Sequence, residues 1–177
     1  MAGTSIVHRQ SAIGPRSSVL GARSMIIGLI SDTHGLVRPE VFGALAGVDL
    51  LLHAGDVGGR SVLDELAGIA PIRAVYGNTD IAGEPGLDER IEMTVESRTL
   101  HVSHGHELGS PTPSKLLTRY TADILIYGHT HKPLIERAGA RLVINPGAAG
   151  PKRFNLKPSV ARLSIAGADA DVEVIWL

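Results

Sequence analysis

From residue 25 onwards the chain is divided into short apolar runs, several of which end directly in a cluster of Gly, Asp, Asn or His. The first three runs, at residues 25–30, 48–53 and 72–76, are separated by more polar segments of helical character. This alternation predicts β-α-β units, whose strands lie parallel in one sheet and are joined by right-handed crossovers. The chain is therefore restricted to an α/β fold.

The rest of the pattern predicts a second group of strands and three helices. Residues 90–95 alternate between apolar and polar side chains, and a second strand is expected at 98–103 after a short turn, which predicts an antiparallel pair. Helices are expected to begin near Pro39, at residues 61–68 with Ser61 as N-cap, and at 114–120. Two sheets with helices on their outer faces would bury all the apolar runs. The remaining strands are expected at 123–127, 134–137, 141–144, 160–166 and 172–176.

The length of 177 residues fits one domain with a sizeable core. Residues 1–24 carry three arginines, no acidic residue, and neither helical nor strand periodicity. We therefore expect residues 1–24 to be a disordered leader and residues 25–177 to form a single domain.

Composition argues against several classes of partner. The formal net charge of −1, without a basic cluster, disfavours duplex nucleic acid, because binding a duplex requires clustered Lys and Arg. The absence of cysteine excludes disulfides and thiolate chemistry and favours a cytoplasmic location. The apolar runs are too short to span a bilayer, so no membrane association is expected. A homo-oligomer is compatible with the sequence.

Five polar clusters directly follow five of the predicted strands. In open α/β sheets ligands bind beyond the carboxyl ends of the strands, so clusters that are distant in sequence can meet at one site. Each cluster alone is weak evidence, because Asp, Asn and Gly are also common turn residues. Together, however, the clusters hold five of the eight histidines. They are Asp32-Thr33-His34, Gly55-Asp56, Gly77-Asn78-Thr79-Asp80, His104-Gly105-His106 and Gly128-His129-Thr130-His131.

The side chains of these clusters predict a site for two metal ions. Imidazole nitrogens with carboxylate and amide oxygens, without thiolate, suit Mn, Fe, Zn, Co or Ni better than Ca. One ion cannot easily use seven protein ligands, whereas two divalent ions that share a carboxylate can. With two carboxylates and a bridging hydroxide, such a pair keeps about one net positive charge, which favours a phosphate substrate. The expected ligands are Asp32, His34, Asp56, Asn78, His104, His129 and His131.

The order of these motifs resembles the calcineurin-like metallophosphoesterases. Over about residues 25–165 it is most similar to the YfcE-type branch of small prokaryotic phosphodiesterases. The resemblance implies a four-layer α/β/β/α sandwich of two mixed sheets flanked by helices. The motifs that carry it are Ile-Ser-Asp-Thr-His-Gly at 30–35, His-Ala-Gly-Asp at 53–56, Tyr-Gly-Asn-Thr-Asp at 76–80, Ser-His-Gly-His at 103–106, Tyr-Gly-His-Thr-His at 127–131 and Asn-Pro-Gly at 145–147.

The resemblance also implies how the ligands are shared. Two sets of three residues would each hold one ion, and Asp56 would bridge the two ions. A hydroxide between the ions would attack phosphorus in line with the leaving group. Manganese is the expected metal. The two sets are Asp32, His34 and His131, and Asn78, His104 and His129.

Two further residues are candidates for roles in catalysis. Asp80 matches the acidic residue that closes the family's Gly-Asn-x-Asp/Glu motif, where it can orient a ligand. Many family members place a proton-donating histidine directly after the motif Asn, but Thr79 stands there in this chain. His106 is the nearest alternative donor, and a structural hydrogen bond is an equally good explanation for it.

The sequence therefore predicts a metal-dependent phosphodiesterase that hydrolyses small phosphate esters. The alternatives are a phosphomonoesterase or nucleotidase, and a non-catalytic interaction scaffold of the same fold. The scaffold is disfavoured because all seven ligand positions are filled. The physiological substrate stays open, because loops such as 83–87 and 107–113 shape the substrate pocket.

Overall fold

The computed structural model of the chain describes residues 24–152 and 155–177. The leader expected at residues 1–24 lies outside these ranges except for Ser24, and it stays a prediction. None of the helices in the described ranges has the length and apolar character needed to cross a membrane.

The described residues form two mixed sheets. The six-stranded sheet has the order β11-β10-β1-β2-β3-β4, in which β1 to β4 are parallel and β10 runs antiparallel to β1. Its strands are β1 (Met25–Ile30), β2 (Leu50–His53), β3 (Ile72–Val75), β4 (Leu87–Asp88), β10 (Ser159–Ala166) and β11 (Asp169–Trp176).

The five-stranded sheet has the order β5-β6-β7-β9-β8. Strands β6, β7 and β9 are parallel, while β5 and β8 form antiparallel edges. The parallel strands of both sheets therefore present carboxyl ends from which loops can reach a common site. The strands of this sheet are β5 (Ile91–Val95), β6 (Arg98–Val102), β7 (Ile124–Ile126), β8 (Leu134–Ala138) and β9 (Arg141–Asn145).

Three hydrophobic cores define four layers. The largest lies between the sheets and joins residues such as Leu52 with Val102. Helices α1 (Pro39–Ala44) and α2 (Arg60–Leu66) cover the outer face of the six-stranded sheet. Helix α3 (Pro113–Arg119) covers β7 and β9 through Leu116. The predicted α/β/β/α sandwich is confirmed.

Some local predictions are wrong. Ser61 is not an N-cap, because α2 begins at Arg60 after Gly59, and no side chain caps its first turn. Helix α3 begins one residue before the predicted start, and Thr112 accepts a hydrogen bond from the amide of Lys115 as its N-cap. The two-residue strand β4 and a 3₁₀ helix at His106–Leu108 were not predicted, because neither carries an apolar period.

Candidate metal centre

The polar clusters lie in the loops that follow β1, β2, β3, β6 and β7. Backbone hydrogen bonds link these loops directly. The amide of Asp32 donates to the carbonyl of Gly55, and the amide of His34 donates to that of Asp56. The amide of Gly128 donates to the carbonyl of His104, which joins the two loops of the five-stranded sheet. The structure thus brings all five clusters together at one end of the sandwich.

One group of donor atoms surrounds the space between β1, β2 and the loop after β7. Asp32, His34, Asp56 and His131 each offer a donor atom, and these atoms lie within 4.8 Å of one another. His34 Nε2 is 3.5 Å from His131 Nε2 and 3.8 Å from Asp56 Oδ2. This group contains the first predicted ligand set together with the predicted bridging residue.

A second group lies on the other side of Asp56. Asp56 Oδ2 is 3.5 Å from His104 Nε2. Asn78 Oδ1 lies 3.2 Å from His104 Nε2 and 2.9 Å from His129 Nδ1. Asp56 therefore stands between the two predicted ligand sets.

The unpaired atoms of this site fit a metal ion. The Asp32 carboxylate is fully buried, and its Oδ1 makes no hydrogen bond, although His131 Nε2 is only 3.1 Å away. Its other oxygen accepts a hydrogen bond from Ser31 Oγ at 2.6 Å. A buried carboxylate oxygen that lies close to an imidazole nitrogen without a hydrogen bond is the arrangement expected where a cation binds. The donor set implies divalent metal.

Hydrogen bonding fixes the ring of His104 for such a role. His104 Nδ1 donates to the carbonyl of Ala54 at 2.7 Å, so Nε2 is left as the atom that faces Asp56 and Asn78. A metal-binding imidazole usually donates its other N–H to a carbonyl or carboxylate in this way. The tautomer therefore suits coordination through Nε2.

The carboxylates also shape the protonation of the site. Burial opposes ionisation of Asp56, but the attraction of the His104 imidazole in its protonated form and the hydrogen bond from the Thr79 amide outweigh it and lower the pKa of the carboxyl. Burial alone would lower the pKa of His104, yet Asp56 and Asp32 raise it above its usual value. Protons and metal ions therefore compete for His104, because a coordinating imidazole must be neutral.

Backbone conformation marks the same residues. Positive φ angles are uncommon for residues other than Gly and cost free energy, of order 1–3 kcal/mol each. Five of the seven predicted ligands adopt them, against two other non-Gly residues in the described ranges. Such conformations cluster at functional sites, where the surrounding structure holds them. The five ligands are Asp32 (54°), His34 (46°), Asp56 (54°), His129 (66°) and His131 (58°).

Asp80 does not face the donor groups as a free carboxylate. It accepts hydrogen bonds of 2.9 Å from the amides of Val57, Gly58 and Gly77. These bonds connect the loop that carries Asp56 to the loop that carries Asn78. These contacts fit the predicted role of Asp80 in orienting a ligand, and that role stays a prediction.

Two supporting residues were not predicted as part of the site. Asn145 Nδ2 donates to the carbonyl of Gly128 and to Thr130 Oγ1, so it anchors the loop that carries His129 and His131. His53 is fully buried at the end of β2. The sequence offers one signal for a role of His53 at the site, which is its position directly before Ala-Gly-Asp. The predicted strand at 48–53 includes His53, and the structure places it at the end of β2.

His106 lies beside the second donor group. Its ring centroid is 5.4 Å from that of His104 and 6.0 Å from that of Tyr76. His106 Nδ1 is buried without a hydrogen-bond partner, at 3.9 Å from Glu107 Oε2. His106 Nδ1 therefore does not make the structural hydrogen bond that was the alternative explanation for this residue.

Comparison with known proteins identifies the family. Residues 25–168 match the profile of the calcineurin-like phosphoesterase superfamily domain. The chain belongs to this superfamily. It is 37% identical over 156 residues to a probable metallophosphoesterase of Methanothermobacter thermautotrophicus, covering 82% of this chain and 89% of the relative.

Two further likenesses bear on the alternatives. Phosphodiesterase YfcE of Escherichia coli K12 is 32% identical over 153 residues, covering 71% of this chain and 80% of the relative. The crystal structure of Vps29 from Entamoeba histolytica, complexed with Zn²⁺, superimposes with a TM-score of 0.71 at 25% identity, covering 86% of this chain and 99% of that chain. The predicted resemblance to this superfamily and to YfcE-type proteins is confirmed.

Proposed function

We propose that this calcineurin-like phosphoesterase is a binuclear, metal-dependent phosphodiesterase that acts on small substrates. The observation that carries the proposal is the position of Asp56 Oδ2, which lies 3.8 Å from His34 Nε2 in one donor group and 3.5 Å from His104 Nε2 in the other. Two divalent ions are proposed, with manganese expected and iron, zinc, cobalt or nickel as alternatives. The name of the YfcE relative supports diester rather than monoester hydrolysis. The absence of cysteine supports a cytoplasmic location.

In this proposal one ion is held by Asp32, His34 and His131 and the other by Asn78, His104 and His129, with Asp56 shared. When bound, the ions supply the Lewis acidity that activates water and neutralises the charge of the phosphate. The chain's own contribution is to orient the donors before substrate arrives. Ala54 fixes the His104 tautomer, and Asp80 ties the Asp56 and Asn78 loops together.

Hydrolysis of bis(4-nitrophenyl) phosphate by EDTA-treated protein, before and after addition of Mn²⁺, tests the proposal. Metal-dependent turnover is expected. A non-catalytic interaction scaffold of the same fold is the competing function, and metal binding without hydrolysis of any ester would favour it. A higher kcat/KM for 4-nitrophenyl phosphate than for the diester would instead indicate a monoesterase.

We further propose that His106 donates a proton to the leaving alcohol, since its ring lies next to His104 and is partly exposed. Proton donation by a positioned side chain contributes about 10²–10⁴-fold, and esters of acidic alcohols need it least. His106→Ala should therefore slow hydrolysis of alkyl esters strongly and barely affect nitrophenyl esters. An equal loss on both classes at unchanged metal content would contradict this role.

A further inference from the structure

A groove of about 760 Å³ opens beside the metal centre. Helix α3 covers β7 and β9, but it leaves Glu92 and Thr94 of β5 and Thr99 of β6 exposed. Tyr76 and His106 line the end of the groove next to the metal centre. Thr99 and Thr121 line the far end, and the chain from Thr99 in β6 to Ser103 just after it spans about 13 Å. The groove therefore leads away from the metal centre along the sheet.

The groove concentrates rings in a chain that has few of them. Only 3% of the residues are Phe, Trp or Tyr, and the chain has three tyrosines. Two of these, Tyr76 and Tyr120, line the groove together with His101 and His106. Tyr120 stacks on His101 with ring centroids 3.8 Å apart. Stacked and tilted rings along one wall favour a planar aromatic ligand.

His101 forms a buried part of the groove wall, and one of its ring nitrogens has no hydrogen-bond partner among the described residues. His101 is 2% exposed, its Nδ1 lies 3.5 Å from Glu92 Oε1, and its Nε2 has no hydrogen-bond partner. Burial lowers the pKa of His101, so its ring is neutral. With the proton on Nδ1 directed towards Glu92, Nε2 is an acceptor. His101 therefore contributes a neutral ring to the wall of the groove.

The charges along the groove disfavour a second anionic group. Two arginines are outnumbered by three glutamates, so this surface does not attract phosphate beyond the one held at the metal centre. An uncharged ligand is therefore favoured. The charged residues are Arg90 and Arg119, and Glu89, Glu92 and Glu107.

We propose that this groove binds one esterified alcohol of the phosphodiester, and that its preferred occupant is an uncharged nucleoside. The inference rests on the proposed function, since the phosphate joined to that nucleoside must lie at the metal centre. The volume of the groove supports the assignment, because small-molecule sites typically have volumes of about 300–1,000 Å³.

Filling the far end of the groove tests this assignment. Thr121 is exposed and lines the groove, whereas Thr118 is exposed on α3 and does not. Thr121→Trp and the matched control Thr118→Trp would be compared on methyl 4-nitrophenyl phosphate and on thymidine 5′-(4-nitrophenyl phosphate). These diesters share a leaving group and differ only in the second alcohol. Thr94→Trp, from β5, repeats the test if Thr121→Trp does not fold.

The nucleoside diester should be the better substrate of the wild-type protein. Thr121→Trp should lower its kcat/KM at least about fivefold, the lower bound for loss of a base stack, while the methyl diester changes less than about twofold. Thr118→Trp should change neither. Equal effects of Thr121→Trp on both diesters, or no effect on either, would overturn the assignment.

A binding measurement separates this inference from the proposed function. Adenosine, which has no phosphate, should bind EDTA-treated protein in saturation-transfer NMR, and Thr121→Trp but not Thr118→Trp should abolish the signal. If hydrolysis fails but adenosine binds in this pattern, the groove assignment stands and the phosphodiesterase proposal falls. If hydrolysis succeeds but neither adenosine binding nor diester preference responds to Thr121→Trp, the groove assignment falls alone.

Discussion

At the scale of single residues, the glycines of the strand-end motifs decide how closely the donors approach. A Cβ on Gly77 would overlap Asp56 Oδ1 and the Asp56 amide nitrogen, although φ at Gly77 is not in the left-handed region. Gly43 in α1 has no neighbouring atom within 4 Å of the same position. Neither glycine has a positive φ, so the backbone would accept a side chain at both positions. Contact with Asp56 excludes a side chain at Gly77, whereas the space at Gly43 is open.

Gly77→Ala should displace the Asp56 carboxylate and weaken metal binding by at least about tenfold, the effect expected when the support of a ligand is lost. Gly43→Ala should leave metal affinity unchanged and stabilise the fold by about 0.5–1 kcal/mol, because it reduces the entropy of the unfolded chain. Isothermal titration with Mn²⁺ and urea unfolding measure the two quantities. Equal metal affinities in both variants would contradict the role of Gly77.

His53 gives the fold a pH dependence of its own. Thr33 Oγ1 donates to the carbonyl of Val57 and accepts from His53 Nε2, while His53 Nδ1 accepts from the amide of Gly55. The ring is thus used as a neutral group, and burial lowers its pKa from 6.5 to about 4. Below pH 6.5 the unfolded chain binds a proton that the folded chain does not. The stability contribution is therefore complete above about pH 6.5 and is lost as the pH falls towards 4.

The free energy of unfolding should fall by up to about 3 kcal/mol over this range through His53 alone. His53→Asn retains an acceptor for Gly55 and removes the titration, so its stability should depend less steeply on pH. Urea unfolding between pH 4.5 and 8 in EDTA measures this difference without metal. If the free energies of unfolding of the two proteins changed in parallel with pH, His53 would not be the cause of the pH dependence.

At the scale of elements, α3 is held at both ends by side chains that the apolar pattern does not reveal. Thr112 caps its first turn. At its other end, Arg141 of β9 donates to the carbonyls of Leu117, Tyr120 and Ala122. The guanidinium thereby satisfies carbonyls that the end of a helix leaves without partners. It also fixes the wall of the groove that contains Tyr120.

Arg141→Met should destabilise the fold by about 2–3 kcal/mol, since it leaves three carbonyls without a charged donor. Arg137→Met on the neighbouring strand β8 is the control, because Arg137 is exposed and contacts Ala170 and Asp171 at the surface. The control should cost less than about 1 kcal/mol. Urea unfolding compares them, and equal costs would mean that the α3 contacts contribute little.

The elements that could be predicted are those with a strong apolar signal. The buried strand β1 and the alternating strand β5 were predicted at or within a residue of their observed bounds. The predicted start of α2 was one residue late. Ser61 was expected to be the N-cap, but Gly59, with φ of 124°, occupies that position and the helix begins at Arg60. Strand β4 could not be predicted, because it exists only through two pairings with β3.

The site was predictable in composition and only partly in geometry. The positions of Asp32, Asp56 and His131 in strand-end motifs identified residues that the structure brings together, because parallel strands have their carboxyl ends at the same edge of a sheet. The motif around Asn78 indicated a supporting role for Asp80, but the amides of Val57 and Gly58 that it binds, and the Gly128 carbonyl that Asn145 binds, lie in distant loops that no local pattern identifies.

At the scale of the whole molecule, the candidate metal centre joins the two sheets. Asp32 and Asp56 follow strands of the six-stranded sheet, whereas His104 and His131 follow strands of the five-stranded sheet. A cation bound between them adds cross-links to the apolar core. Since ions bind the folded state alone, their binding free energy adds to stability.

Mn²⁺ at about 100 times its dissociation constant should add about 2.7 kcal/mol per site and raise Tm by roughly 5–10 °C for a domain of this size. Asp56→Asn should reduce this rise sharply, because it weakens both proposed sites, and bound metal should fall well below two ions per chain. Asp64→Asn on the exposed face of α2 is the control. Calorimetry and elemental analysis measure the outcomes. Two tightly held ions in Asp56→Asn would rule out its bridging role.

The pairing of β1 with β10 determines when the six-stranded sheet can form during synthesis on the ribosome. Met25 pairs with Ile165, and Leu29 pairs with Ala161, so β1 lacks its neighbour β10 until residues 159–166 have been synthesised. Until then one edge of β1 has exposed amides and carbonyls, which are a template for pairing with other chains. Vectorial synthesis therefore makes the nascent protein vulnerable to aggregation until residues 159–166 leave the exit tunnel.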